Sequence, residues 1–471
     1  MQNRYLSIAA TLGGTAAVLG TLGFTNAPEI APYQDGDEKL GGNTTVYEVG
    51  RNAFSLPAAN MASDRQTRFF VGNSFFKKAW VEAPSSTTAR DGLGPHFIAR
   101  SCGACHALDG RGATPAFENG LQAEQPMALL FRLSIPGKNG STLPEPTYGG
   151  QFNNDAIPGV KPEGKVAISY TEQPGSFADG ESYSLRQPSY HFTDLGYGAM
   201  HPQVQVSPRI ANQVIGLGLL EAIREQDILA NAKAQAADND GVSGHPNYVY
   251  DAYAGKNKLG RYGWKANVAT VAHQSAGAFL GDIGITSAKF PKEECMPAQR
   301  DCLKAPNGGK PEIPTSKLND VIFYTQTLAV PAQRDADTFE VRRGKLLFDQ
   351  IECTACHTPS YTTGKLAGLP EVSNQKIIPY TDMLLLVIGP GLADNRPDGL
   401  ANGREWKTPP LWGIGLLQDV NGHTQYLHDG RARNLTEAIM WHGGEADTAK
   451  RRFARLGKAD RDAVLRFLNS L

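Results

Sequence analysis

The chain has no surplus of either charge: Lys plus Arg number 46 against 47 Asp plus Glu in 471 residues. The electrostatic footprint of a nucleic-acid binder is therefore missing, and charge alone says little about partners. Beyond the N-terminus no run approaches the ~20 apolar residues of a membrane span. At 41% hydrophobic residues the composition is not that of a disordered chain either. Cysteine is scarce, six in all and none before Cys102, which argues against a lipid anchor at the N-terminus. What remains is an ordinary soluble composition, long enough at 471 residues for two or three domains.

Four of the six cysteines fall into two runs of one pattern, CGACH (Cys102 to His106) and CTACH (Cys353 to His357). C-x-x-C-H is the haem-attachment pattern: two thiols add to the haem vinyl groups as thioethers, and the adjacent histidine binds the iron from the proximal side. A thioredoxin-like redox pair wants a βαβ context, and neither run follows an apolar strand. A zinc site wants its cysteine pairs roughly 15–20 residues apart, whereas most of the chain separates these. The expectation is two covalently bound haems c, one at Cys102, Cys105 and His106 and the other at Cys353, Cys356 and His357. Cys295 and Cys302, in KEECMPAQRDCLK, suit a local surface disulfide and hence an oxidising compartment; the rival reading is a reactive thiol pair, against which no helix N-terminus or basic cluster is evident to depress a thiol pKa.

The N-terminus has one early Arg4, a mildly apolar run from Leu6 to Phe24 and then an acidic, Pro-rich stretch, which is the organisation of an export signal. The cleavage points after Ala27 or Ala31 are each followed by proline, so an uncleaved N-terminal anchor stays open beside cleavage. Residues 1–31 are accordingly read as export signal or anchor, with the folded part in the periplasm or facing it.

The second motif opens a unit whose order is readable. FEVRRGKLLFDQ (Phe339 to Gln350) places Val341, Leu346, Leu347 and Phe348 among charges as an amphipathic helix running into CTACH, and KADRDAVLRFLNSL closes the chain with another apolar stripe. The same order recurs earlier, stretched: RFFVGNSFFKKAW (Arg68 to Trp80), then SCGACH, then SKLNDVIFYTQTLAVPAQRD (Ser316 to Asp335). This order predicts a mainly α protein of two cytochrome c-like domains, 45–335 and 336–471. The first carries a long Gly/Pro-rich, loop-dominated insertion, about 140–310, with one helix over Ala211 to Glu225.

DGLGPHFIARSCGACH, SPRIANQVIGLGLLEAI, GRYGWKANVATVAHQSAGAFLGDIGIT and TPPLWGIGLL followed by YLHDGRARNLTEAIMWHGGEA together resemble the di-haem oxidoreductase/peroxidase family, formerly called thiol oxidoreductases and related to bacterial di-haem cytochrome c peroxidases. The likeness covers the chain from about Tyr47 onward. It implies a peroxidase-like enzyme with a reactive N-terminal haem and an electron-transfer C-terminal haem. NLTEAIMWHGGE matches the segment in which those peroxidases carry the sixth ligand of the electron-transferring haem, and His442 falls on that position; His428 and Met440 compete with it. YGAMHPQVQVSPRIAN matches the stretch with a distal histidine over the peroxide-binding haem, which puts His201 there, with Met200 beside it and a plain loop histidine as the bland alternative. His96 and His273 have weaker claims.

Peroxide chemistry needs a residue that moves a proton between the two oxygens. Glu221, in GLGLLEAIRE, is the carboxylate whose apolar flanks would raise its pKa if buried; an ordinary solvated helix glutamate is the alternative. Trp264 is one of five tryptophans that could lie between the haems. Asp238, Asp240 and Ser243 stand at D-x-D-G-x-S spacing, a candidate calcium loop or a plain Asp/Gly turn. The expected partners are a small redox protein or other electron donor and hydrogen peroxide, with no nucleic acid, and membrane only through the N-terminal segment. The rival class is a di-haem electron carrier without a substrate of its own; a third reading has a protein or metal ion as the group oxidised.

Overall fold

The computed structural model of the protein describes residues 29–138 and 141–471. The segment read as export signal or anchor thus lies outside the described residues, apart from its last three positions. Among the described residues no helix is long and apolar enough to cross a membrane.

The helices that frame the site are, in chain order, α1 (Ser63–Lys77), α2 (Leu217–Ala222), α3 (Val271–Ile283), α4 (Thr315–Gln326), α5 (Phe339–Gln350), α6 (Leu435–Met440) and α7 (Lys458–Ser470). They form two similar pairs, α1 on α4 and α5 on α7. Each pair crosses at a glycine that lets two backbones touch. A Cβ at Gly72 would overlap Asp320 O, and one at Gly344 would overlap Ala463 O.

The expectation of a mainly α, cytochrome c-like fold is overturned. Helix accounts for 30% and strand for 19% of the structure, so the architecture is mixed α/β with many small sheets. Most of that strand lies in the stretch read as loop. β1 (Leu129–Pro136), β2 (Gln151–Phe152) and β5 (Gln205–Ile210) make one antiparallel sheet, with Phe131 opposite both Phe152 and Pro208. Between them β3 (Lys165–Ser176) and β4 (Ser182–Thr193) form a long hairpin in register from Lys165–Thr193 to Ser176–Ser182. Val166 and Ile168 are buried while Lys165, Ala167 and Ser169 face out, the period-2 pattern of a half-buried strand. β6 (Leu385–Val387) and β7 (Glu405–Lys407) form a two-stranded ribbon.

The helix expected over Ala211 to Glu225 shrinks to α2. The backbone before it is committed elsewhere: Ala211 N–H donates to Ala128 O, Val214 N–H to Asp109 O, and Asn212 O accepts from the His106 ring. A segment whose peptide groups tie two other segments together has none left for a helical ladder. One main apolar core runs through the molecule, from Leu40 to Leu471, and includes residues of both helix pairs and of the hairpin.

Candidate cofactor cavity

Both C-x-x-C-H runs line one cavity of about 700 Å³. The two runs close in the same way: His106 N–H donates to Cys102 O and His357 N–H to Cys353 O, each at 2.9 Å. Each histidine rests against a phenylalanine from the preceding helix, Phe76 of α1 at 6.2 Å from His106 and Phe348 of α5 at 6.1 Å from His357 between ring centroids. The four thiols are free, and burial pushes Cys102 and Cys353 up to about 12. They are neutral thiols at physiological pH, the opposite of a redox-active thiolate. Cys295 and Cys302, by contrast, are paired at a Cα–Cα distance of 5.7 Å.

The histidine tautomers follow from the ring nitrogens' partners. His106 Nδ1 donates to Asn212 O at 2.6 Å, His357 Nδ1 to Tyr380 O at 2.8 Å and His442 Nδ1 to Ala438 O at 2.8 Å. A carbonyl can only accept, so each Nδ1 carries the proton and each Nε2 keeps its lone pair for a metal. His442 is held by α6, whose Asn434 side chain caps the helix by accepting from Glu437 N–H at 2.8 Å. It shares the cavity with His357, whose pKa falls to about 4, first through burial and further through the neighbouring His442.

The other two wall histidines differ. His428 stacks on Trp406 at 3.9 Å with Nε2 3.6 Å from Asp429, and burial pushes it down to about 4. His273 Nδ1 accepts from Ala252 N–H at 3.3 Å, which leaves its proton on Nε2. His201 and Glu221 are not among the cavity-lining residues. His201 sits at a turn, its N–H donating to Glu145 Oε1 at 2.7 Å and its Nδ1 accepting from Gln203 N–H at 3.1 Å. Glu221 lies between α2, α3 and α4, accepting from Gln326 Nε2 at 3.0 Å and Val271 N–H at 3.3 Å; burial raises its pKa. His96 Nε2 is spent on Lys161 O at 2.8 Å. Asp238 and Asp240 are exposed, Ser243 N–H donates to Glu445 Oε2 at 2.7 Å, and of these three only Asp240 reaches the cavity wall. Among the described residues no three His, Cys, Asp or Glu converge as a metal cage.

Several wall residues were not singled out from the sequence. α3, started by the Thr270 side chain accepting from His273 N–H at 3.2 Å, turns Gln274, Gly277, Ala278 and Gly281 toward the cavity. A Cβ at Gly277 would meet nothing within 4 Å, so this face is open to a flat ligand. Asp282, in the last turn of the helix, accepts from Gln151 Nε2 at 2.9 Å. Glu294, next to the Cys295 half-cystine, is exposed toward the same side of the cavity; desolvation by the surrounding walls raises its pKa, Arg132 opposes that, and Asp282 adds to it. Trp264 is in the wall, its Nε1 donating to Ile210 O at 2.8 Å. The small-residue spacing of HQSAGAFLGD was the one available signal. Free Nε2 atoms, neutral thiols and an open helix face together fit covalently held haem. The family described as "Di-haem oxidoreductase, putative peroxidase" matches residues 33–471. No curated protein and no solved structure matches the chain.

Proposed function

The chain belongs to the di-haem oxidoreductase family, and from that membership we propose that it is an exported, periplasmic peroxidase-type enzyme with a haem c at each C-x-x-C-H run. His357 and His442 would hold the iron of an electron-transferring haem between them, and His106 would hold the reactive one. The observation that carries this asymmetry is a count of nitrogens. Of the five histidines in the cavity wall, only His106, His357 and His442 donate Nδ1 to a carbonyl and leave Nε2 free. The second site thus offers two imidazole nitrogens to a haem iron and the first offers one, which would leave the other side for substrate.

Bound haem supplies an iron that takes up peroxide and passes electrons to it. The chain's own part is to hold and move the proton. Glu294 supplies it: its pKa is raised, it faces the cavity beside Asp282, and Arg132 offsets part of the local negative charge. Electrons come from a small redox protein. The Cys295–Cys302 pairing and the export-type N-terminus support an oxidising compartment.

Replacing Glu294 with Gln is expected to lower peroxide turnover by about 10²–10⁴-fold at unchanged haem content, while Glu221→Gln leaves turnover within a few-fold of wild type. Equal, small effects of both changes would remove Glu294 from the reaction. The resting EPR spectrum tests the enzyme reading itself. One high-spin or peroxide-reactive haem supports it, and two inert low-spin haems would make the protein an electron carrier.

A further inference from the structure

The deepest charged groups of the cavity wall are cations. Arg111, Arg209, Arg261 and Lys407 are buried, at 6%, 6%, 9% and 7% exposure, whereas Arg132, Arg396, Lys450 and every carboxylate in the wall are partly or fully exposed. Three of the acids act on the cysteines, Asp282 on Cys102 and Cys105, and Glu445 and Asp240 on Cys356, whereas Asp398 stands among the arginines.

Protein partners leave several of these cations unbalanced. Arg209 Nη2 and Arg396 Nη1 share a single carboxylate, Asp398, at 2.9 and 3.1 Å. Arg111 donates Nη2 to Leu427 O and lies 5.1 Å over the Trp264 ring, with no carboxylate in ion-pair contact among the described residues. Lys407 Nζ reaches Thr408 O at 3.4 Å, and Asp382 acts on it only from beyond ion-pair contact. The Nε atoms of Arg111 and Arg396 are buried with no partner. An uncompensated buried cation is costly, and burial pushes Arg111 down to about 10 and Lys407 to about 8. Whatever fills the cavity must bring anionic groups.

A haem carries two propionate carboxylates on the edge away from its thioether-forming vinyl groups. That polarity matches a wall with acids at the cysteines and its deepest cations away from them. We propose that Arg111, Arg209, Arg396 and Lys407 form one shared cationic belt that receives the propionates of the two haems and holds their reduction potentials up. This rests on the reading that two haems occupy the cavity. The bidentate fork of an arginine suits a carboxylate, and a cation beside a haem favours the reduced form, which carries one more electron.

The test uses the purified holoprotein and its Arg111→Gln, Arg396→Gln and Arg111→Lys variants, read by potentiometric titration and by the propionate-bending bands of the resonance Raman spectrum. Each Gln variant should retain two covalent haems, lower the midpoint potential of at least one, and shift its propionate band. Arg111→Lys keeps the charge and loses the fork, so its potentials stay near wild type while the band moves. Potentials and bands unmoved in both Gln variants, with two haems present, would overturn the belt and assign these cations to some other anion. If a Gln variant fails to accumulate, the Lys variant decides: a moved band supports the belt and an unmoved one overturns it. A wild-type protein with fewer than two covalent haems fails the underlying reading instead.

Discussion

At the residue scale the decisive quantity is which ring nitrogen carries a proton. Three of the cavity-wall histidines are fixed by carbonyls as Nδ1–H tautomers, and no sequence pattern distinguishes His442 from His428 on this point. Their difference lies in what surrounds them, Ala438 O for one and the Asp429 carboxylate with the Trp406 face for the other. His442→Ala should therefore convert the His357 haem from low-spin to high-spin and leave the spectrum of the other haem unchanged, as read by EPR and the Soret region. A haem that stays low-spin in His442→Ala would pass the ligand role to another residue. The local motif was legible because attachment chemistry needs its three residues within five consecutive positions. Arg111, Arg209, Arg396 and Lys407 were not, since they come together only through folding, and a buried arginine looks like an exposed one in sequence.

At the element scale, the amphipathic stripes of Phe339–Gln350 and Lys458–Ser470 were readable because a 3.6-residue period sustained over three turns is hard to mimic. The strands escaped for two reasons. Many span only two to four residues, too short to display alternation. In the long hairpin, Val166 and Ile168 do alternate with outward residues, but Pro174 and Gly175 lie within β3, and such residues mark loops or edges. The helix pairs make the sharper prediction. Their crossings depend on Gly72 and Gly344, where an added methyl would meet the backbone of the partner helix rather than a yielding side chain. Gly72→Ala and Gly344→Ala should each destabilise the fold by about 1–3 kcal/mol, the usual range for overpacking, measured by chemical denaturation. Gly277→Ala, on the same kind of helix but facing open cavity, should cost far less. Equal losses at all three positions would mean that contact with the partner helix's backbone does not set the effect, since Ala is the better helix former.

At the scale of the whole molecule, the first and second halves share more than a cavity. The β3–β4 hairpin reaches across to the C-terminal part. Arg461 Nη2 contacts Asp179 and Glu181 at 2.7 Å each, Tyr190 Oη donates to Asp429 at 3.1 Å, and Phe177 lies 6.2 Å from Phe453. The backbone joins as well: Ile210 N–H donates to His428 O, Ile378 N–H to Leu40 O, and His245 exchanges two hydrogen bonds with Leu385. Arg461 is buried, with 3% of its side chain exposed, so the hairpin tip supplies the anions for a cation belonging to the opposite half. Stability lost in one half should therefore be felt in both. Replacing Cys353 and Cys356 with Ala should leave one covalent haem by intact mass and remove the packing that the second haem gives to Phe348, His357 and His442. Calorimetry should then show a single unfolding transition, as in the wild type, displaced to lower temperature. Two separated transitions, with the upper one at the wild-type temperature, would show that the halves fold independently and that the hairpin and backbone contacts between them contribute little.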